Sequence, residues 1–143
     1  MCDEDLSNFL KSLDNHFVLQ GLHLDLKNTK VTEHGILDLT NFIEKCPNIV
    51  SAAFDLSNLN LNEIAITNLI GKLENKPYLR DLCISLYGND LSNGESIKST
   101  TSLVRNASKS LEFLRLSFGN SKINKLDIVE LCTHLNDLKD LTG

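Results

Sequence analysis

One leucine pattern recurs along the chain at a nearly fixed interval, and this constrains the fold more than any other feature. Four segments carry it: Leu19-x-x-Leu22-x-Leu24-x-Leu26, Ile49-x-x-Ala52-x-Phe54-x-Leu56, Leu79-x-x-Leu82-x-Ile84-x-Leu86 and Leu111-x-x-Leu114-x-Leu116-x-Phe118. Their first positions are 30, 30 and 32 residues apart, and a further copy opens 27 residues later at Leu138-x-x-Leu141. Self-similarity of this length indicates stacked supersecondary units rather than one closed core. The functional question becomes what the repeated surface holds.

The rest of each unit repeats as well. Nine residues after each first position stand Asn28, Asn58, Gly88 and Asn120, types that tolerate left-handed backbone or bond it locally in a turn. An apolar residue follows (Val31, Leu61, Leu91, Ile123), and immediately after it come Thr32, Asn62, Ser92 and Asn124. All four are types whose side-chain oxygen caps a helix N-terminus. Ile36, Leu39 and Ile43, then Ile66, Leu69, Ile70 and Leu73, then Ile128, Leu131, Cys132 and Leu135 recur at helical spacing with one buried face. Pro47 and Pro77 stand where each helix must already have ended. Each unit therefore reads as strand, turn, capped helix and return.

These motifs resemble the leucine-rich repeat family in its long-repeat, ribonuclease-inhibitor-like subclass. The resemblance covers most of the chain from Leu19 to Leu141. It implies an α/β fold: a right-handed solenoid with parallel strands on the concave face, helices on the convex face, and protein binding as the usual role. The sequence departs from the family in one place. The third residue after Leu26, Leu56, Leu86 and Phe118 is Thr29, Leu59, Asn89 and Ser121, so no continuous asparagine ladder is expected. The chain reads as one domain over 1–143, with a helix or partial repeat at 1–17, repeats starting near 19, 49, 79 and 111, and a partial repeat from 138.

Composition narrows the function classes. With 14 Lys and Arg against 19 Asp and Glu, the net charge is −5 and no repeat supplies a basic stripe, which disfavours nucleic acid as a partner. No apolar run is long enough to span a bilayer, and the acidic start Met1-Cys2-Asp3-Glu4-Asp5 lacks the basic and apolar blocks of a secretory signal. A cytoplasmic or other intracellular location is expected. Cys2, Cys46, Cys83 and Cys132 lack metal-ligand spacing. Cys46 and Cys132 read as small buried hydrophobes, and Cys83 as outward-facing. No nucleotide-binding, hydrolase or metalloprotease motif is present, so neither catalysis nor a cofactor or metal is expected.

The strand face offers the candidate site. If Leu22 and Leu24 point inward, alternation sends Gly21, His23, Asp25 and Lys27 outward. The next strands send out Ser51, Ala53, Asp55 and Ser57, then Asp81, Cys83, Ser85 and Tyr87, then Phe113, Arg115, Ser117 and Gly119. The expected partner-binding residues are His23, Asp25, Asp55 and Asp81 as an acidic region, and Tyr87, Phe113 and Arg115 as a converging anchor group. The hydroxyl-rich stretch from Ser92 to Ser110 reads as a bent or fraying helix carrying the two extra residues of its repeat. The truncated motif at Leu138 and Leu141 leads to the expectation that this edge is covered by further repeats or another chain. The function expected is a non-catalytic interaction module, a structural piece of a larger intracellular assembly. The alternative is a regulatory domain, of GTPase-regulator or ubiquitin-ligase-adaptor type, whose active portion lies elsewhere.

Overall fold

A computed structural model describes residues 1–13, 18–107 and 110–136; the expectation for Leu138 and Leu141 falls outside them. The fold is α/β. Its strands β1 (Gly21–Asp25), β2 (Ser51–Asp55), β3 (Asp81–Ser85) and β5 (Phe113–Ser117) form a parallel sheet in the order β1-β2-β3-β5. The two-residue strands β4 (Asp90–Leu91) and β6 (Lys122–Ile123) pair separately, also in parallel. Helices α1 (Asp3–Leu13), α2 (Glu33–Glu44), α3 (Glu63–Glu74), α4 (Glu95–Ala107) and α5 (Lys125–Asn136) pack on one another in chain order.

The leucine pattern sets the register. Leu22, Ala52, Leu82 and Leu114 are aligned across neighbouring strands, as are Leu24, Phe54, Ile84 and Leu116. One continuous core joins Leu22, Ala52, Phe54, Leu82 and Ile84 of the sheet to Ile36, Leu39, Ile43, Ile66, Leu69 and Ile70 of the helices. At the last sheet strand the burial weakens. Leu82 is wholly buried, but Leu114, expected to match it, is only half-buried. Among the described residues β5 pairs on one side only, with β3, so its inward side chains lack one flank. The same cause corrects Cys132, which is exposed rather than buried: among the described residues α5 packs extensively only on α4 and buries only Leu131.

The turns follow the expected chemistry. Asn28, Asn58 and Asn120 have φ of 55°, 56° and 54°, and Gly88 has φ of 73°. A Cβ on Gly88 would lie 2.0 Å from Asn58 Oδ1, so the position needs glycine for space as well as for conformation. Asn58 Nδ2 donates to Asn28 Oδ1 at 3.0 Å, linking consecutive turns. The third-place residues replace a continuous asparagine ladder with mixed donors. Thr29 Oγ1 donates to Leu26 O at 2.7 Å, and Ser121 Oγ donates to Leu86 O at 2.9 Å. Buried Asn89 donates to Leu56 O and Leu86 O at 2.9 and 3.1 Å and accepts from Leu61 N at 3.2 Å. Leu59 takes the same place with a side chain that has nothing to donate.

Helix starts agree in three units and differ in one. Thr32 accepts from His34 N, Asn62 from Ala65 N and Asn124 from Leu126 N. Ser92 does not cap a helix: α4 begins at Glu95, after a turn in which Gly94 has φ of 76°. The two extra residues of this repeat therefore lie in the turn before the helix. The helix itself runs unbroken over 13 residues. Its Ser96, Thr100 and Thr101 are buried, and Thr100 and Thr101 bond the Ser96 and Ile97 carbonyls. α4 is tied to α3 by Ser96 N donating to Glu63 and Ser102 Oγ donating to Glu74.

Candidate interaction surface

Side chains that alternate with the core residues form the opposite face of the sheet. Register places them in rows across the strands: Gly21, Ser51, Asp81 and Phe113; then His23, Ala53, Cys83 and Arg115; then Asp25, Asp55, Ser85 and Ser117. Over the second and third rows lies an open hollow of about 490 Å³. It is lined by His23, Asp25, Ala53, Asp55, Cys83, Ser85, Arg115 and Ser117, with Leu24, Phe54 and Ile84 also contributing. Ala53, Cys83 and Ser85 are short, which leaves its middle open. Its volume falls within the usual range for ligand-sized clefts.

The acidic pair is present as expected, since Asp25 and Asp55 stand side by side in the register. Both carboxylates also serve the backbone. Asp25 Oδ1 accepts from Lys27 N at 3.1 Å and Asp55 Oδ1 from Ser57 N at 3.0 Å, the local turn bond that Asp side chains favour. Ser57 also donates its hydroxyl to Asp55 and contacts Ser85 Oγ at 2.8 Å. Ser57 is therefore buried between Asp55 and Ser85, not displayed outward. His23 Nε2 lies 2.7 Å from Ser51 Oγ.

The other expected groupings are corrected. Asp81 aligns with Ser51 and Phe113, two outward rows from the acidic pair and at the opposite end of the strands. Tyr87, Phe113 and Arg115 do not converge. Phe113 and Ser117 bound β5, about 13 Å apart at ~3.3 Å per residue. Tyr87 lies beyond that far end, against Gly119, where an added Cβ would be 2.9 Å from its ring. Arg115 and Phe113 do meet, with the guanidinium carbon 5.7 Å from the ring centroid, a cation–π distance. Of the seven residues expected to bind a partner, His23, Asp25, Asp55 and Arg115 line the hollow; Asp81, Tyr87 and Phe113 lie outside it.

Sequence reasoning placed Ala53, Cys83, Ser85 and Ser117 on this face but gave them no part in a site, although they form much of its lining. It missed another row entirely. Asp3, Glu33 and Glu63, each the first residue of its helix, accept from the start of the following unit. Asp3 takes Thr32 N and Oγ1, both at 2.7 Å, and Glu33 takes Asn62 N at 3.2 Å. Glu63, buried, takes Asn93 N at 2.7 Å and Ser96 N at 2.9 Å. Burial pulls the Asp3 carboxyl up, but the Thr32 hydroxyl and backbone N–H outweigh it and hold the group below its ordinary value. The signal was an acid at positions 3, 33 and 63. These carboxylates join neighbouring units and are spent on backbone donors.

Among the described residues, no group of three or more His, Cys, Asp or Glu side chains is placed to hold a metal ion. No helix of the described residues is long and apolar enough to cross a membrane. Comparison with protein-family models and with curated proteins yields no match to this chain.

Proposed function

We propose that the chain is a leucine-rich repeat solenoid that acts as a non-catalytic protein-interaction module, a structural piece of a larger intracellular assembly. The outward face of its parallel sheet is the binding surface, concave, with the helices on the convex side. The observation that carries this reading is the hollow across the strands, lined by charged side chains and short ones while the leucine-type positions fill the core. In-register parallel strands in chain order and helices packed in the same order support the stacked architecture. Four cysteines that form no disulfide suit a reducing compartment.

The test is affinity purification of the tagged chain, followed by one substitution on each side of the fold. Ala53→Arg puts a long charged side chain into the hollow, and Leu37→Arg alters an exposed helix position. A stoichiometric, salt-resistant complex should be lost with Ala53→Arg and kept with Leu37→Arg. A complex indifferent to Ala53→Arg, with native circular dichroism, would overturn the assignment of this face.

A further inference from the structure

The charges around the hollow are opposed and unmatched. Asp25 and Asp55 accept only backbone and hydroxyl hydrogens, and no Lys or Arg among the described residues forms an ion pair with either. Arg115, on the far strand, stacks on Phe113 and meets no carboxylate among the described residues. Some exposed charges elsewhere find partners: Lys72 with Glu44 at 2.6 Å and Lys122 with Asp90 at 2.8 Å, each joining consecutive units. Unit-to-unit ion pairing is thus available to this scaffold, and the hollow uses it at neither end.

We infer that the hollow binds an extended peptide segment running across the strands, with a Lys or Arg side chain seated between Asp25 and Asp55 and an Asp or Glu side chain seated at Arg115. The inference rests on the proposed binding role of this face and specifies the partner. The spacing follows from the sheet. Strands lie about 4.8 Å apart and residues rise about 3.3 Å. The midpoint of the Asp25–Asp55 pair is two and a half strands and two residues from Arg115, which is about 14 Å at the backbone. An extended segment covers that distance in about four steps along the chain, so the basic and acidic side chains fall at i and i+4, on one face of the segment.

The short side chains of Ala53, Cys83 and Ser85 leave room for the intervening backbone. The Phe113 ring under the guanidinium limits the orientations of Arg115, which lowers the ordering cost of a bidentate contact to a carboxylate. Asp25 and Asp55 are already oriented by their turn bonds, so a bound cation meets fixed acceptors. Two opposite charge contacts on a defined span select one dipolar segment against its like-charged alternatives.

The test selects binders from a displayed random-peptide library with the intact chain, then measures synthesised winners by fluorescence anisotropy and maps them by NMR. The expected winners carry a basic and an acidic residue at i and i+4. They should weaken by about tenfold to a hundredfold against Arg115→Gln and against the double change Asp25→Asn with Asp55→Asn. Asparagine keeps an oxygen for the turn bonds, and circular dichroism confirms the fold of each variant. Binding should also weaken as salt is raised. Winners that map to the hollow without this charge pattern, or that ignore both variants, overturn the inference and leave the binding role of the face standing. Winners that map only to the helix row, or no enrichment, overturn the inference and count against the face itself.

Discussion

Replacing Leu82 by Ala tests the stacking of the repeats at its centre. Leu82 is fully buried on β3, with Ala52 aligned on one side and Leu114 on the other. Truncation removes its transfer free energy and leaves a cavity between two strand neighbours that cannot easily close it. Because Ala52 is already small, little on that side can move in. A cost of about 2–5 kcal/mol follows. For a chain of this size that lowers the melting temperature by about 6–20 °C. Leu114→Ala provides the internal comparison. The same atoms are removed from a side chain that is only half-buried, so its cost should be about half as large. Urea titration followed by circular dichroism gives both numbers. The reasoning fails if Leu82→Ala stays within about 0.5 kcal/mol of the parent, a change typical of surface sites, or if Leu114→Ala costs as much.

Gly88→Ala should destabilise by about 1–3 kcal/mol in the same titration, since it forces a side chain into positive φ and against Asn58. Glu63→Ala should cost about 2–3 kcal/mol by leaving the Asn93 and Ser96 amides without their buried acceptor; Glu63→Gln, which keeps one oxygen, should cost less in a thermal melt. Acid unfolding should depend on Asp90. Its bonds from the Lys122 ammonium and from the Ser92 hydroxyl and backbone hold it at about 2, below the ordinary 3.8. A depressed carboxylate contributes stability that is complete above about pH 4 and is lost as pH falls toward 2. Asp90→Asn should therefore flatten that part of the stability–pH curve, lying below the parent at neutral pH and meeting it as pH falls toward 2.

The fold was legible where residue chemistry leaves few options. Positive φ admits few residue types, so Asn28, Asn58, Gly88 and Asn120 announced the turns directly. Period-two alternation assigned strand residues to a face because a one-residue slip would reverse every side chain. That rule distinguishes faces but not distances along a strand, so Tyr87 and Phe113 were grouped although they lie at opposite ends. Ser57 was misplaced because alternation carries no information once a strand has ended at Asp55. Ser92 looked like the other caps; the decisive signal was Gly94, two residues on, which takes positive φ before the helix. Cys132 and Leu114 followed the core pattern, but burial needs a neighbour on each side, and among the described residues β5 pairs with one strand and α5 packs extensively on one helix. The charge asymmetry of the hollow needed the strand register before Asp25, Asp55 and Arg115 could be related.

The central claim is that the outward sheet face is the binding surface, and the cysteines provide the most direct measurement of it. Cys83 is half-buried in the hollow, Cys132 is exposed on α5 and Cys46 is buried. Maleimide labelling, read residue by residue by mass spectrometry, follows all three in one sample with and without the purified partner. Partner binding should slow labelling of Cys83 several-fold while Cys132 reacts at its unbound rate and Cys46 stays silent. Unchanged labelling of Cys83 in a saturated complex, with protection appearing at Cys132 instead, would place recognition on the helix side and contradict the account.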